Sequence, residues 1–162
     1  QNKAASVRSK NGIVVAGIDD VSVRFSKCCN PVPGDEIIGF VTRGRGVSIH
    51  RTDCINMMNL SEADRHRIIE AEWQVSSEGK DNELYDAEII IYANDRMGLL
   101  LEITKVFTEM KIDVKSMNIR TSKQGIATIN VGFAIRGVEA LHEVTKKVRQ
   151  IEGIKDIQRT QA

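Results

Sequence analysis

After a polar, aperiodic stretch over residues 1–12, the chain breaks into short apolar runs of strand character. They fall at 13–16, at 21–25 with Val21, Val23 and Phe25 alternating, at 37–41 and at 46–49. Turn residues separate them. Asn30-Pro31-Val32-Pro33-Gly34-Asp35 holds both prolines of the chain, and Arg43-Gly44-Arg45-Gly46 permits positive φ and close backbone approach. Thr52 or Asp53 is placed to N-cap a short helix reaching about Leu60. A polar run over 61–67 and a strand over 68–75 then close a small β-rich domain spanning 13–75. Residues 76–84, which begin SSEGKDNE, are the clearest break in composition and read as a linker between two domains.

Beyond the linker the pattern regularises. A strand over 85–92 precedes Leu99, Leu100, Ile103, Val106, Phe107 and Met110, which recur at helical spacing as one apolar stripe. Next come a strand over 112–122, a turn at Lys123-Gln124-Gly125, and a strand over 126–136 in which Ala127, Ile129, Val131, Phe133 and Ile135 alternate with polar or small neighbours. Val138, Leu141, Val144, Val148 and Ile151 mark a second helix, and a last strand runs from 154 to about 159. The order βαββαβ over 85–160 predicts a four-stranded antiparallel sheet carrying two helices on one face, the ferredoxin-like arrangement, so the chain is α+β. One conflict stands out: Ile112 and Val114 lie on one strand face, Met117 and Ile119 on the other. Either a bulge near Lys115-Ser116 restores the parity, or both sheet faces are covered, one of them by a partner subunit.

The chain has 162 residues, 41% apolar and 28% charged, with 23 Lys+Arg against 22 Asp+Glu and a net charge of +1. That composition excludes a disordered or fibrous chain and a strongly basic nucleic-acid binder, so a nucleic-acid role must rest on local clustering. No run is long and apolar enough to span a membrane, and the start at Gln1 without an apolar segment behind it is no signal peptide; the missing Met suggests a piece of a longer chain, and three cysteines, two of them adjacent, suit reduced thiols or metal ligation in a cytoplasmic setting. Seven aromatics, 4% of residues, leave few platforms for stacked bases.

Three cysteines cannot make a complete disulfide framework. Cys28, Cys29, His50 and Cys54 have the types of a Cys₃His zinc site, with His50 and Cys54 bracketing a helix start. Against this, adjacent cysteines in an extended segment diverge, and no CxxC knuckle is present. Reduced thiols packed without metal, a zinc site, and a redox-active pair near Arg24, Lys27 or His50 all stay open at this point. From Arg24 to Arg51 the chain is net +3, through Arg24, Lys27, Arg43, Arg45 and Arg51 against Asp35 and Glu36. The 43–46 turn can bring backbone amides and two guanidinium forks to phosphate oxygens, a mode that needs no stacked bases. In the second half, Asn94-Asp95-Arg96-Met97-Gly98 joins a strand to a helix start whose free amides can receive a carboxylate, unless Asp95 merely caps the helix.

These residues carry a family resemblance. Val23-Arg24-Phe25-Ser26-Lys27-Cys28-Cys29-Asn30-Pro31-Val32-Pro33-Gly34-Asp35, Thr42-Arg43-Gly44-Arg45-Gly46-Val47-Ser48-Ile49-His50-Arg51 and Asp53-Cys54 resemble the C-terminal regulatory region of the long RelA/SpoT homologues, the (p)ppGpp synthetase/hydrolases of the stringent response. The second half, with Asn94-Asp95-Arg96-Met97-Gly98-Leu99-Leu100 between strand and helix, resembles their terminal ACT domain. The first unit then resembles the domain called zinc-finger or RIS. The resemblance implies a non-catalytic fragment of a GTP pyrophosphokinase, since no His-Asp dipeptide and no phosphate-binding P-loop occurs in the chain. It implies a ribosome and deacylated-tRNA partner, with Arg24, Lys27, Arg43, Arg45, His50 and Arg51 facing RNA. It implies a homodimer through the ACT domain, with a branched-chain amino acid held by Asn94, Asp95, Arg96, Met97, Gly98, Leu99 and Ile112 of one copy and Asn118 of the other. Two rivals come from other classes. A stand-alone ACT-type amino-acid-sensing subunit has no need of a basic turn followed by His and Cys. A thiol-dependent enzyme would have only His50 as base to Cys28 or Cys29.

Overall fold

The computed structural model describes residues 13–15, 22–44, 46–73 and 83–160. The predicted linker over 1–12, residues 76–82 of the predicted linker over 76–84, Arg45, and the ends of three predicted strands at Ala16, Val21 and 74–75 lie outside the described residues. In the first unit the strands are β1 (Ile13–Val15), β2 (Ser22–Phe25), β3 (Ile37–Val41), β4 (Gly46–Arg51) and β5 (Ile68–Trp73). They form one sheet in the order β1-β5-β3-β4-β2. β3 and β4 pair as an antiparallel hairpin, and β2 returns on the outer side of β4 as its parallel partner. Ile13, Val47, Ile49 and Ala71 make the small core. Gly39 sits where β3 is pressed by its neighbours: a Cβ there would lie 2.9 Å from side-chain carbons of both Ile69 and Val47. The helix predicted from Thr52 or Asp53 to about Leu60 is one turn, α1 (Ile55–Met58), and its N-cap is Cys54, without a side-chain cap bond. A second single turn, α2 (Glu62–Arg65), occupies the run read as merely polar.

The second unit follows the predicted βαββαβ order: β6 (Tyr85–Asn94), α3 (Leu99–Glu109), β7 (Val114–Thr121), β8 (Ile126–Ile135), α4 (Val138–Arg149) and β9 (Ile154–Arg159). The sheet order is β7-β8-β6-β9, antiparallel throughout. Both helices lie on one face. Leu99, Ile103 and Phe107 of α3 and Leu141, Val144 and Val148 of α4 recur every three or four residues and so fall on one side. They bury against Ile89, Ile91, Ile129, Val131 and Phe133, each large side chain contributing about 1.5–3 kcal/mol by leaving water. The parity conflict is resolved by the bulge: Val114 pairs with Phe133 and Ser116 with Gly132, so Lys115 is the extra residue. Val114 and Met117 both reach the helix-covered core in consequence.

The two units interlock. Val32, from the proline-rich turn of the first, is fully buried within the core of the second. Phe25 stacks on Trp73, and Tyr85 meets both edge-on at 5.6 Å between ring centroids. Arg159 at the end of β9 pairs with Asp35 at 2.6 Å and donates to the Asn30 carbonyl at 2.9 Å. The Val138 amide, at the start of α4, donates to the Pro33 carbonyl at 2.8 Å, so the first unit supplies a partner that a helix N-terminus lacks internally.

Candidate functional site

Residues 27–29 leave β2 as a turn rather than an extended strand. Ser26 N–H is held by the Ile49 carbonyl and Asn30 N–H by the Ser26 carbonyl, which folds the cysteine pair back against β4. This explains why adjacent cysteines, which diverge in an extended chain, here point to one place. Their sulfurs lie 3.9 Å apart. His50 enters from the end of β4, and Cys54 from the N-cap of α1, where its amide bonds the Arg51 carbonyl. The Cys28 sulfur is 3.4 Å from the Cys54 sulfur and 3.4 Å from His50 Nδ1; Cys29 Sγ is 3.8 Å from the same nitrogen. All four donor atoms fall within 4.8 Å of one another. A tetrahedral zinc with metal–sulfur bonds of ~2.3 Å and metal–nitrogen bonds of ~2.05 Å has S···S edges of about 3.8 Å and S···N edges of about 3.6 Å. The donor set therefore fits such an ion in type, number and spacing.

The surroundings suit the same use. His50 Nε2 lies 3.0 Å from Ser48 Oγ, a partner that orients the ring and leaves Nδ1 toward the sulfurs. Burial lowers the His50 pKa, so the imidazole is neutral, the form that ligates a metal. Burial pushes the Cys29 thiol up to about 12, which the Arg51 N–H···S bond only partly opposes and the neighbouring Cys28 and Cys54 sulfurs reinforce. Burial also acts to raise Cys28, but hydrogen bonds from Ser26, Asn56, Cys54 and Cys29 outweigh it and leave that thiol more acidic than usual. Ser26 Oγ is 2.8 Å from Cys28 Sγ. Ser26, Ser48 and Asn56 were not singled out in the sequence; a hydroxyl two residues before a ligand on a strand, as Ser48 is to His50, was the available signal.

The cationic residues divide. Arg24, Lys27 and Arg43 are exposed. Arg24 shares a recess of about 330 Å³ with Thr42, Gly44 and Gly46, so it stands beside the Arg43 turn. Lys27 instead lines a cavity of about 400 Å³ at the junction of the two units, with Lys115 and Asp86. His50 and Arg51 correct the sequence reading: neither faces solvent. His50 is turned to the sulfurs, and Arg51, the last residue of β4, is 3% exposed, with its amide against Cys29 and its side chain beside Asp53. Arg51 Nε lies 3.1 Å from Asp53 Oδ1, an ion pair by distance whose angle makes no hydrogen bond.

The 94–98 loop is largely occupied by its own fold. Asn94 N–H goes to the Gly153 carbonyl and Asp95 N–H to the Gly125 carbonyl. Arg96 bonds the Glu152 and Met97 carbonyls and pairs with Glu102. Asp95 does not cap α3; the N-cap is Gly98 at φ 81°, a left-handed conformation that glycine adopts without strain. One further correction concerns the proposed apolar lining. Leu99 lies in the core under the sheet because its helical stripe faces inward, whereas Ile112 is half-buried and packs only partly against that core. Met97 is 97% exposed. Asn118 is exposed on the edge strand β7, and β8 separates it from β6 and the loop of the same chain.

Residues 13–74 match the RelA/SpoT RIS domain, and residues 81–159 match the ACT domain. The GTP pyrophosphokinase of Streptomyces coelicolor is 40% identical over 148 residues, 91% of this chain and 17% of that protein. The GTP pyrophosphokinase of Escherichia coli K12 is 37% identical over 155 residues, 94% of this chain and 20% of that protein. The crystal structure of the ACT domain from the Chlorobium tepidum GTP pyrophosphokinase aligns with a TM-score of 0.43 and 23% identity, over 48% of this chain and 99% of that one. The chain thus spans about a fifth of the length of the curated relatives it matches, from 17% to 21%. With two domain matches in chain order and relatives of one name aligned along nearly its whole length, the chain belongs to the RelA/SpoT family, as a RIS domain followed by an ACT domain.

Proposed function

We propose that this domain pair is a non-catalytic regulatory module of a stringent-response (p)ppGpp synthetase/hydrolase, which docks on ribosomal RNA or tRNA and transmits that state to catalytic domains elsewhere in the parent protein. The observation that carries this reading is the arrangement of Cys28, Cys29, His50 and Cys54. Four protein donors at tetrahedral spacing leave no open position for a substrate, which is the pattern of a structural metal and not of a catalytic one. Zinc bound there ties the 27–29 turn, β4 and the start of α1 together, supplying rigidity to a domain whose apolar core is small. His50 would ligate through Nδ1 with Ser48 holding its other nitrogen, and the Arg51 N–H holds the Cys29 sulfur.

The RNA-facing surface is then Arg24 with the Arg43–Gly46 turn, Arg45 among its residues in the sequence. Exposed guanidinium groups beside a glycine-bearing turn suit phosphate oxygens and not base edges. A stand-alone ACT subunit gives no account of the RIS domain locked onto it. The test is ribosome co-sedimentation of Arg24→Glu/Arg43→Glu against wild type across a salt series. Two lost phosphate contacts weaken binding and reduce the salt slope by about 2; an unchanged slope excludes this surface. The amino-acid reading requires a second copy to bring Asn118 to the 94–98 loop, and belongs to a homodimer joined through the ACT domain.

A further inference from the structure

The segment 28–35 carries two metal-ligand candidates at one end and most of the grip on the ACT domain at the other. Between them there is no slack: Cys29 to Val32 is three residue steps, at most about 11 Å of fully extended chain. Asn30 sits at φ 46°, in the left-handed region that asparagine tolerates better than other non-glycine residues, which reverses the chain sharply here. Its amide is bonded to Ser26 and its carbonyl to Arg159 of the ACT domain. Val32 fills the ACT core, and its amide donates to Asp35 Oδ2 at 2.8 Å. Asp35 returns its own amide to the Val32 carbonyl, gives its other oxygen to Arg159, and takes the Trp73 indole N–H on its carbonyl at 3.1 Å. The side chains of Asp35 and Arg159 are 9% and 21% exposed, so the pair is shielded from much of the solvent screening that weakens surface ion pairs.

We propose that occupancy of the Cys28, Cys29, His50 and Cys54 centre governs how firmly the ACT domain is clamped to the RIS domain, with segment 28–35 as the arm and Arg159 as the latch. The inference rests on the metal reading above. Without an ion, the two cysteines of the turn are tied to His50 and Cys54 only by weak sulfur contacts at 3.4–3.8 Å. With an ion, four bonds fix the turn against β4 and α1, and the geometry at Asn30 follows. An ion that prefers the clamped arrangement shifts the population toward it by its differential affinity, and the clamp must in return raise the affinity for the ion by the same factor.

The full 162-residue chain, stripped of metal, is titrated with cobalt(II), whose thiolate absorption bands report the site. Hydrogen exchange is followed at the Val138 amide, which bonds across the interface, and along the β3/β4 ladder, which reports the RIS fold itself. Metal slows exchange at Val138 by about tenfold or more, the worth of roughly one charge-assisted hydrogen bond. Arg159→Gln keeps the cobalt bands, loses most of that slowing, and weakens cobalt binding by the same factor. Absent bands overturn the metal reading and the clamp with it. Bands accompanied by unchanged Val138 exchange, or an Arg159→Gln protein with the slowing intact, overturn the clamp alone. Metal removal that exposes Val138 and the β3/β4 ladder together also overturns it, since the RIS domain would then be unfolding and not letting go.

Discussion

Val32 belongs by chain position to the RIS domain and by packing to the ACT core, so truncating it tests the interlock directly. Val32→Ala removes two methyl groups from a side chain that is fully buried. The transfer loss is about 0.8 kcal/mol for each group, and the cavity left between two domains that cannot both relax adds to it, for a total of about 2–3 kcal/mol. In a protein of this size that lowers the midpoint of thermal unfolding by roughly 4–12 °C. The decisive quantity is where the loss appears. If the residue supports the ACT core, amides of β8 and α4 that exchange only on core opening speed up by about thirtyfold, the factor equivalent to about 2 kcal/mol. Urea unfolding followed through the single Trp73, which bonds to Asp35 at the interface, reports the same event from the other domain. Destabilisation confined to the β1–β5 sheet, with protection in β8 and α4 at the wild-type level, would refute the interlock.

Other substitutions test separate parts of the argument. Gly39→Ala places a methyl 2.9 Å from Ile69 and Val47 and should destabilise the RIS domain by about 1–3 kcal/mol in urea; a change within 0.5 kcal/mol would show that those side chains have room to yield. In metal-free protein the folded Cys29 thiol, raised from 9.0 to about 12, keeps its proton where the unfolded chain has lost it. Its contribution is therefore complete below about pH 9 and lost as pH rises toward 12, roughly tenfold in the unfolding equilibrium per pH unit. The stability difference between wild type and Cys29→Ala should shrink over that window without metal, and a flat difference would show that the thiol is not desolvated. Calorimetry with valine, isoleucine and leucine should give saturable heat that Asn118→Ala abolishes; no heat at millimolar ligand leaves the 94–98 loop a purely structural connection.

The ACT half was legible because its signals are periodic and long. The 99, 103, 107 stripe and the alternation of 127 to 135 each span several repeats, and even the bulge at Lys115 announced itself as a break in parity. The RIS half was legible only in part. Its strands of three to six residues could be found, yet nothing local says that β2 pairs in parallel with β4, because that choice is made by burial of Val47 and Ile49 between neighbours far apart in sequence. The candidate metal ligands were readable as residue types, whereas their convergence depended on a turn at 27–29 that spacing rules describe poorly. Charge misled at Arg51 for a related reason: a cation counted along the sequence joins a surface patch only if its side chain reaches solvent, and Arg51 is buried where the cysteine turn folds back against the end of β4. Asp35 and Arg159, 124 positions apart, carried no signal of their pairing at all.

The β3/β4 hairpin joins these parts into one device. At one end its turn presents Arg43 beside Arg24; at the other, β4 delivers His50 to the sulfurs and β3 begins two residues after Asp35. Six residues of β4 cover about 20 Å, so the cationic turn and the Cys/His cluster sit a sheet's length apart on a single paired ladder. Outer pairing stiffens this ladder along most of its length, since β3 is also paired to β5 over Ile38–Phe40 and β4 to β2 over Gly46–Ile49. A contact that pulled on the Arg43 turn would therefore act on the ligand end, where the next links are Cys29, Asn30 and the Arg159 latch. If the Arg43 turn docks on RNA as proposed, the ACT domain need not touch the RNA to respond to it, and the expected signature is that Arg159→Gln leaves ribosome co-sedimentation near the wild-type level while removing any effect of the ribosome on Val138 exchange. Loss of binding in that variant would mean that the ACT domain is itself part of the docking surface.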